Sequence, residues 1–331
     1  MTNHQFPNSI NHSPLNSLTN TVRNSLGIRQ KQDIQQAAKY LGQTPHNIAI
    51  GDDCAAISDG TSHLLLAAEG MLPQFVTDEP WFAGWCGVMV NVSDIYAMGG
   101  RPIAVVDTIW GRSSESIDEV WGGMQSAASA YSVPIVGGHT NCHSPHDGLS
   151  VAILGRAARP LSGFSARPGD CLMVAVTLQG QQFKHYPFWN GATDANPVQL
   201  RRQLEVLPEL AEAELCSAGK DISMGGILGT ALMLLEASQV GATICVQDIP
   251  RPSDVALEDW VQWFPSFGFL LSLPPQNCEV VAKRFEQRGV SCATIGGVTI
   301  DRQVHLKWGD ESALLWDFER EALTGFSKGS C

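Results

Sequence analysis

The chain has few bases for its size, no C-x-x-C pair, no apolar run of membrane-spanning length and neither familiar glycine-rich nucleotide loop. Each absence excludes something. With 21 Lys and Arg against 33 Asp and Glu, a formal charge of −12, the chain lacks the cations that neutralise a phosphate backbone, so nucleic acid is not an expected partner. Nine cysteines, an odd number scattered through apolar segments around Cys86, Cys171 and Cys245, read as reduced thiols of a cytoplasmic protein. The missing apolar run excludes a membrane-spanning helix and makes a membrane an unexpected partner. Neither G-x-x-x-x-G-K-[ST] nor a strand followed by G-x-G-x-x-G is present, so any nucleotide is held in another way.

The length of 331 residues suits two domains of ordinary size. Residues 1–28, rich in Asn, Ser, Thr, Pro and His, read as a disordered extension. A short helix is expected over Arg29–Leu41, ended by Gly42 and Pro45. Strands are expected at His63–Ala68, Ile103–Ile109, Val133–Val136 and Leu149–Leu154, with helices at Trp81–Met98 and Ser116–Ser132. The segment ARPLSGFSARPGD (158–170) is Pro/Gly/Ser-rich and aperiodic, which places the junction there. The first domain then spans 29–158 and the second 168–320, before a flexible tail at 321–331. In the second half, strands are expected at Leu172–Thr177, Ala242–Val246, Phe267–Leu273 and Ser291–Ile295. Helical patterns cover Val198–Ser217, Ile227–Ser238 and Asn277–Arg288.

Four segments carry candidate chemistry. In GDDCAAI (51–57), Asp52 and Asp53 sit at a glycine turn in an apolar frame, and the run Leu64–Ala68 ends on Glu69. Crowded carboxylates disfavour one another's ionisation, and Mg²⁺ is the usual remedy because it takes carboxylate oxygens together with substrate phosphates. An isolated Asp-Asp pair is better explained as a solvated turn. What favours the metal is the company it keeps. In VNVSDIYAMGG (90–100), Asn91 and Asp94 fall on one helix face within an apolar pattern, where burial is costly unless something binds them. In VPIVGGHTN (133–141) a buried strand empties into Gly137 and Gly138, which admit a ligand close to the backbone, with His139 and Thr140 beyond. Otherwise this is a tight turn. In DISMGGILG (221–229), Asp221 and Ser223 precede a glycine pair and a long helix whose N-terminus favours anions, although Asp221 is equally a plain cap.

Taken in order, GDDCAAI, VNVSDIYAMGGRP, VPIVGGHT, SVAILGRA, ARPGD and DISMGGILG resemble the aminoimidazole ribonucleotide synthetase superfamily over residues 30–320. The resemblance implies an α+β, two-domain PurM-like fold: a mixed α/β first domain that dimerises through its sheet, and an α+β second domain. It implies ATP and Mg²⁺ as cofactors, a homodimer and a small-molecule substrate whose amide, carbonyl or hydroxyl oxygen is activated by phosphorylation. Carried over position by position, Asp52, Asp53, Asp94 and Glu69 are metal ligands. Asn91, Gly137, Gly138, Thr140 and Ser223 bind the nucleotide, and Asp221 with His139 serves catalysis. The chain departs from the thiamine-monophosphate kinase branch at Met224 and His139, where that branch has acids. This sets an activating enzyme against two alternatives: a kinase-like phosphotransferase and a non-catalytic ATP-binding regulator.

Three further features are weighed. His139, Cys142, His143 and His146 in HTNCHSPH have spacing compatible with a transition metal, but no second cysteine pair joins them. Trp260, Trp263, Phe264, Phe267 and Phe269 are expected to pack the second core rather than stack on a substrate. Cys331 ends the chain after GFSKG, and an incidental terminal thiol is the favoured reading over an acceptor.

Overall fold

A computed structural model describes residues 14–41 and 48–327. Three helices lead: α1 (Pro14–Arg23), α2 (Leu26–Asp33) and α3 (Gln35–Tyr40). The first domain follows as β1 (Ala55–Asp59), β2 (Ser62–Met71), α4 (Pro73–Asp78), α5 (Pro80–Ala97), β3 (Arg101–Trp110), α6 (Ser114–Tyr131), β4 (Ile135–Asn141) and β5 (Gly148–Ala157). The second opens with β6 (Cys171–Val176), β7 (Gln181–Gln182), β8 (Phe188–Asn190), α7 (Pro197–Leu204), α8 (Val206–Glu212), β9 (Ala218–Asp221) and α9 (Gly226–Ser238). It closes with β10 (Gly241–Cys245), α10 (Leu257–Trp260), β11 (Phe264–Pro265), β12 (Gly268–Leu273), α11 (Cys278–Glu286), β13 (Ser291–Thr299), β14 (Gln303–Trp308) and β15 (Glu311–Asp317).

The first sheet runs β1-β2-β5-β3-β4, antiparallel except for the β3–β4 pair, and α5 and α6 cover one face. Alternation along the strands sends Leu65, Val105 and Ile109 beneath the helices. It leaves Leu66, Ile103, Val106, Trp110 and Val136 exposed on the other face. Helix α5 is apolar on nearly every side and buried almost throughout, because it lies against the sheet, α6 and the second domain's β9 at once. The second sheet runs β15-β14-β10-β13-β6-β12-β9, with β12 buried along its whole length. The Trp/Phe group of residues 260–269 packs inward: Trp260, Phe264, Phe267 and Phe269 are buried.

Both termini differ from expectation. Residues 14–28 are largely helical: Leu15, Leu18, Thr19 and Val22 make a buried stripe with helical spacing against β14 and β15. The polar composition of the segment concealed that stripe. Arg23 seals the contact, lying 4.3 Å over the Trp316 ring and donating to the Leu315 carbonyl at 2.9 Å. The expected single helix at 29–41 is two helices, and its stop at Gly42 and Pro45 lies outside the described residues, as do residues 1–13. Residues 321–327 are packed rather than loose. The buried Glu236 carboxylate of α9 accepts the Leu323 and Thr324 N–H groups, both at 2.7 Å, and the Thr324 hydroxyl at 2.6 Å. Cys331 lies outside the described residues.

Candidate active site

Gly51 adopts φ +105°, and a Cβ there would meet the Phe326 side chain at 2.5 Å. The turn ahead of β1 therefore requires glycine, both for its backbone and to let the C-terminal segment close over it. The next two residues separate. The Asp52 carboxylate accepts the Ser162 hydroxyl at 2.8 Å and the Gly163 N–H at 3.0 Å, tying the first domain to the interdomain segment. Asp53 points instead toward Asp94 of α5 and Asp221 at the end of β9, and one oxygen from each of the three lies within 4.8 Å of the others. This is the only such group of metal-capable side chains among the described residues.

Tertiary packing makes the triad. Helix α5 crosses β9 so closely that a Cβ on Gly219 would stand 2.8 Å from the Ala97 carbonyl. Lys220 forms a buried ion pair with Asp53, and the Asp221 N–H donates to the same carboxylate at 3.2 Å. One Asp94 oxygen is buried without a partner. Burial first, and then the neighbouring Asp53 charge, pushes the Asp221 carboxyl up to about 8. The same two causes bring Asp52 to about 6. Asp94 is raised well above the carboxylate range by burial, with Asp221 and Glu69 adding to it. For Lys220 burial works against the charge, but Asp53, Asp52 and Asp221 outweigh it and raise its pKa. Three hard oxygen donors, one of them orphaned in the interior, fit a divalent cation such as Mg²⁺.

The raised carboxyls predict a pH dependence. Between the ordinary value of 3.8 and about 8, native Asp221 binds a proton that the unfolded chain has released, and Asp52 does so up to about 6. The unfolded state therefore binds fewer protons, and stability falls as pH rises through this window. Without divalent metal, the melting temperature should drop from pH 5 to pH 8, and Asp221→Asn should flatten that slope. An equal slope in both proteins would refute the prediction.

The remaining predicted residues are distributed unevenly. Glu69 lies in β2, whose expected burial holds only at Leu65 and Ala67, and lines the cavity beside the triad without joining it, its carboxyl raised by desolvation and partly offset by Lys31. Asn91 is fully buried one turn before Asp94, its amide donating to the Gly87 carbonyl at 2.8 Å while its own oxygen has no partner. The Ser223 hydroxyl is also unpartnered, at the entry to α9. Gly137 and Gly138 are not a turn after a strand. They lie within β4, an exposed edge strand, where Gly138 pairs with Asp107 and a Cβ would stand 2.4 Å from the Asp107 carbonyl. A register shift between Val105 and Val106 lets the strand run on through the glycines. His139 and Thr140 are exposed there and do not line the cavity at the triad. His139, Cys142, His143 and His146 form no metal-capable group.

A cavity of about 790 Å³ opens from the triad between the two domains. Its acidic end holds Asp52, Asp53, Asp94, Asp221, Glu69, Lys220 and Lys31, and its other end is aromatic, with Gln74, Asp78 and His185 beside the rings. Met224 also lines it. Sequence reasoning missed Lys31, Lys220 and the aromatic end. Lys220 was legible as the base beside Asp221. Lys31 reaches the cavity because α2 crosses the Met224–Gly225 turn, where a Cβ on Gly27 would strike the Met224 carbonyl at 2.2 Å.

Two domains of mixed helices and sheets, arranged in this way, place the fold in the PurM-like class. Residues 51–157 match the N-terminal domain, and residues 167–309 the C-terminal domain, of AIR synthase related protein. The chain belongs to that family. It is 48% identical over 321 residues to the Synechocystis sp. protein sll0787, covering 96% of this chain and 100% of that one. It is 31% identical to the Methanocaldococcus jannaschii protein MJ0640, covering 94% and 99%. Thiamine-monophosphate kinase of Synechococcus elongatus is 25% identical over 80% of this chain and 88% of its own. Among solved structures, AaThiL complexed with AMPPCP and TMP superposes with TM-score 0.62 at 19% identity, covering 86% and 95%. Thermotoga maritima PurL complexed with ATP gives 0.71 at 16% identity, and this chain, 91% of it covered, spans only 53% of PurL. These superpositions establish the shared fold. No described helix is long and apolar enough to cross a membrane.

Proposed function

We propose that this chain is a Mg-ATP-dependent enzyme that activates an oxygen of a small molecule by phosphorylation. The observation that carries the reading is the triad of Asp53, Asp94 and Asp221 beside a cavity large enough for a nucleotide and a second molecule. Relatives of the same fold bind ATP or its analogue AMPPCP, as the complexes with PurL and AaThiL state.

In this reading the three carboxylates hold Mg²⁺, which would neutralise phosphate charge as the transferred group moves. Lys220 holds Asp53 in place and balances its charge. Ser223 brings an unpartnered hydroxyl to the cavity wall, Asn91 keeps an unpartnered oxygen one turn before Asp94, and Lys31 acts on Glu69 and Asp221 from the N-terminal helices. Asp52 anchors the domain junction rather than the ion. The exposed apolar row on the first sheet supports a homodimer, and Gly137 to Thr140, on an edge strand of that sheet, then serve the partner's nucleotide. The eight described cysteines are all free thiols, which agrees with a cytoplasmic setting.

Met224 favours activation over thiamine-phosphate phosphorylation, because it brings a thioether to the cavity beside Ser223. Purified protein with Mg-ATP should bind nucleotide by calorimetry yet turn over thiamine monophosphate far more slowly than the roughly 1 per second of an ordinary kinase. Rapid diphosphate formation would establish the kinase reading instead. Binding without ADP release for any acceptor would establish a regulator.

A further inference from the structure

The end of the cavity away from the triad is walled by rings that come from both domains. The segment linking β7 to β8 is fixed by two residues: Phe183 stacks on Phe82 at 3.7 Å and 21°, and Lys184 pairs with Glu79 at 2.5 Å. With the segment pinned, its next residues are free to face the cavity. Tyr186 and Phe188 lie nearly parallel, 5.4 Å apart at 9°. Phe75 of α4 meets both edge-on, at 5.4 Å and 67° and at 5.5 Å and 76°. All three line the cavity, with Phe264 behind them.

Resting on the reading above, we propose that this wall is the acceptor subsite, and that the acceptor carries a flat aromatic or heteroaromatic body that stacks there while its oxygen reaches the triad. Two observations select this class. A cavity wall of four rings, Phe75, Tyr186, Phe188 and Phe264, favours another planar ring over an aliphatic group of equal size. Both lysines that line the cavity stand among the acids, whereas beside the rings are Gln74, Asp78 and His185, so the wall offers no lysine or arginine to an anionic group. The triphosphate is claimed by the triad and by the edge strand of a partner subunit, which leaves the ring end to the second substrate.

The test uses benzamide as the flat probe and cyclohexanecarboxamide as its non-planar match, titrated into the full chain by ligand-observed NMR with Mg²⁺ and a non-hydrolysable ATP analogue present. Benzamide should bind at least tenfold more tightly than cyclohexanecarboxamide. Phe188→Leu and Tyr186→Leu should each erase most of that preference, Tyr186→Phe should retain it, and all three variants should bind Mg-ATP as wild type does. Equal binding of the two probes, no benzamide binding, or an unchanged preference in the leucine variants would overturn the proposal. So would loss of Mg-ATP binding in folded leucine variants, which would assign the wall to the nucleotide base. If wild-type protein shows the benzamide preference without analogue and yet binds no Mg-ATP, the nucleotide reading fails while the aromatic subsite stands.

Discussion

Asp94→Asn should weaken Mg²⁺-dependent ATP binding by about a hundredfold or more in titration calorimetry, while the metal-free protein melts no lower than wild type. Asp94 is buried in α5 with an oxygen that no protein group satisfies, and burial raises its carboxyl well above the carboxylate range. Asparagine is nearly isosteric with aspartate and relieves the crowding of carboxylates there, so the empty site loses little. It cannot supply the anionic oxygen that a hard cation takes. Asp53→Asn removes a second oxygen from the same group and should be as damaging to binding, though it also breaks the Lys220 pair. Wild-type affinity in both variants would remove the triad from the metal site.

Lys220→Met should have the largest effect on stability, costing about 3–5 kcal/mol in denaturant unfolding without metal. Both partners of the Lys220–Asp53 pair are buried, with side-chain exposures of 9% and 5%. Removing the ammonium leaves Asp53 facing Asp221 and Asp94 without its ion-pair partner in a desolvated pocket. Millimolar Mg²⁺ should recover part of the loss, since an ion bound only by the native state stabilises it in proportion to the logarithm of its concentration over Kd. A variant as stable as wild type would show that Lys220 balances nothing. Failure of Mg²⁺ to raise the melting temperature of either protein would count against the triad as its binding site.

Much of the fold was legible because its longest elements carry strong periodic or uniformly apolar patterns. Helix α5, helix α9 and strands β3, β5, β6 and β12 fall close to where the residues predicted them. The N-terminal helices were not legible, because α1 shows only four inward residues amid polar ones, and that stripe gains meaning once β14 and β15 exist to receive it. The ordered stretch 321–327 was missed for a similar reason: its anchor is Glu236, more than eighty residues earlier. The paired glycines of β4 misled because Gly-Gly after an apolar strand signals a turn locally. Here the neighbouring strand accepts them in register instead.

The sequence by itself determined the cast of the site: the acids at 52, 53, 94 and 221, the residue types that suit a hard cation, and the order of motifs that marks the family. Only the tertiary structure decided how they divide. Adjacent Asp52 and Asp53 point to different tasks because the turn at Gly51 sends one carboxylate to Ser162 and the other to Asp94 and Asp221. It also decided that Lys31 and a wall of rings face the same cavity. The reason is one of range. Periodicity and turn chemistry act over a few residues, whereas a site between two domains is set by which distant surfaces exclude water together, and no local pattern encodes that pairing.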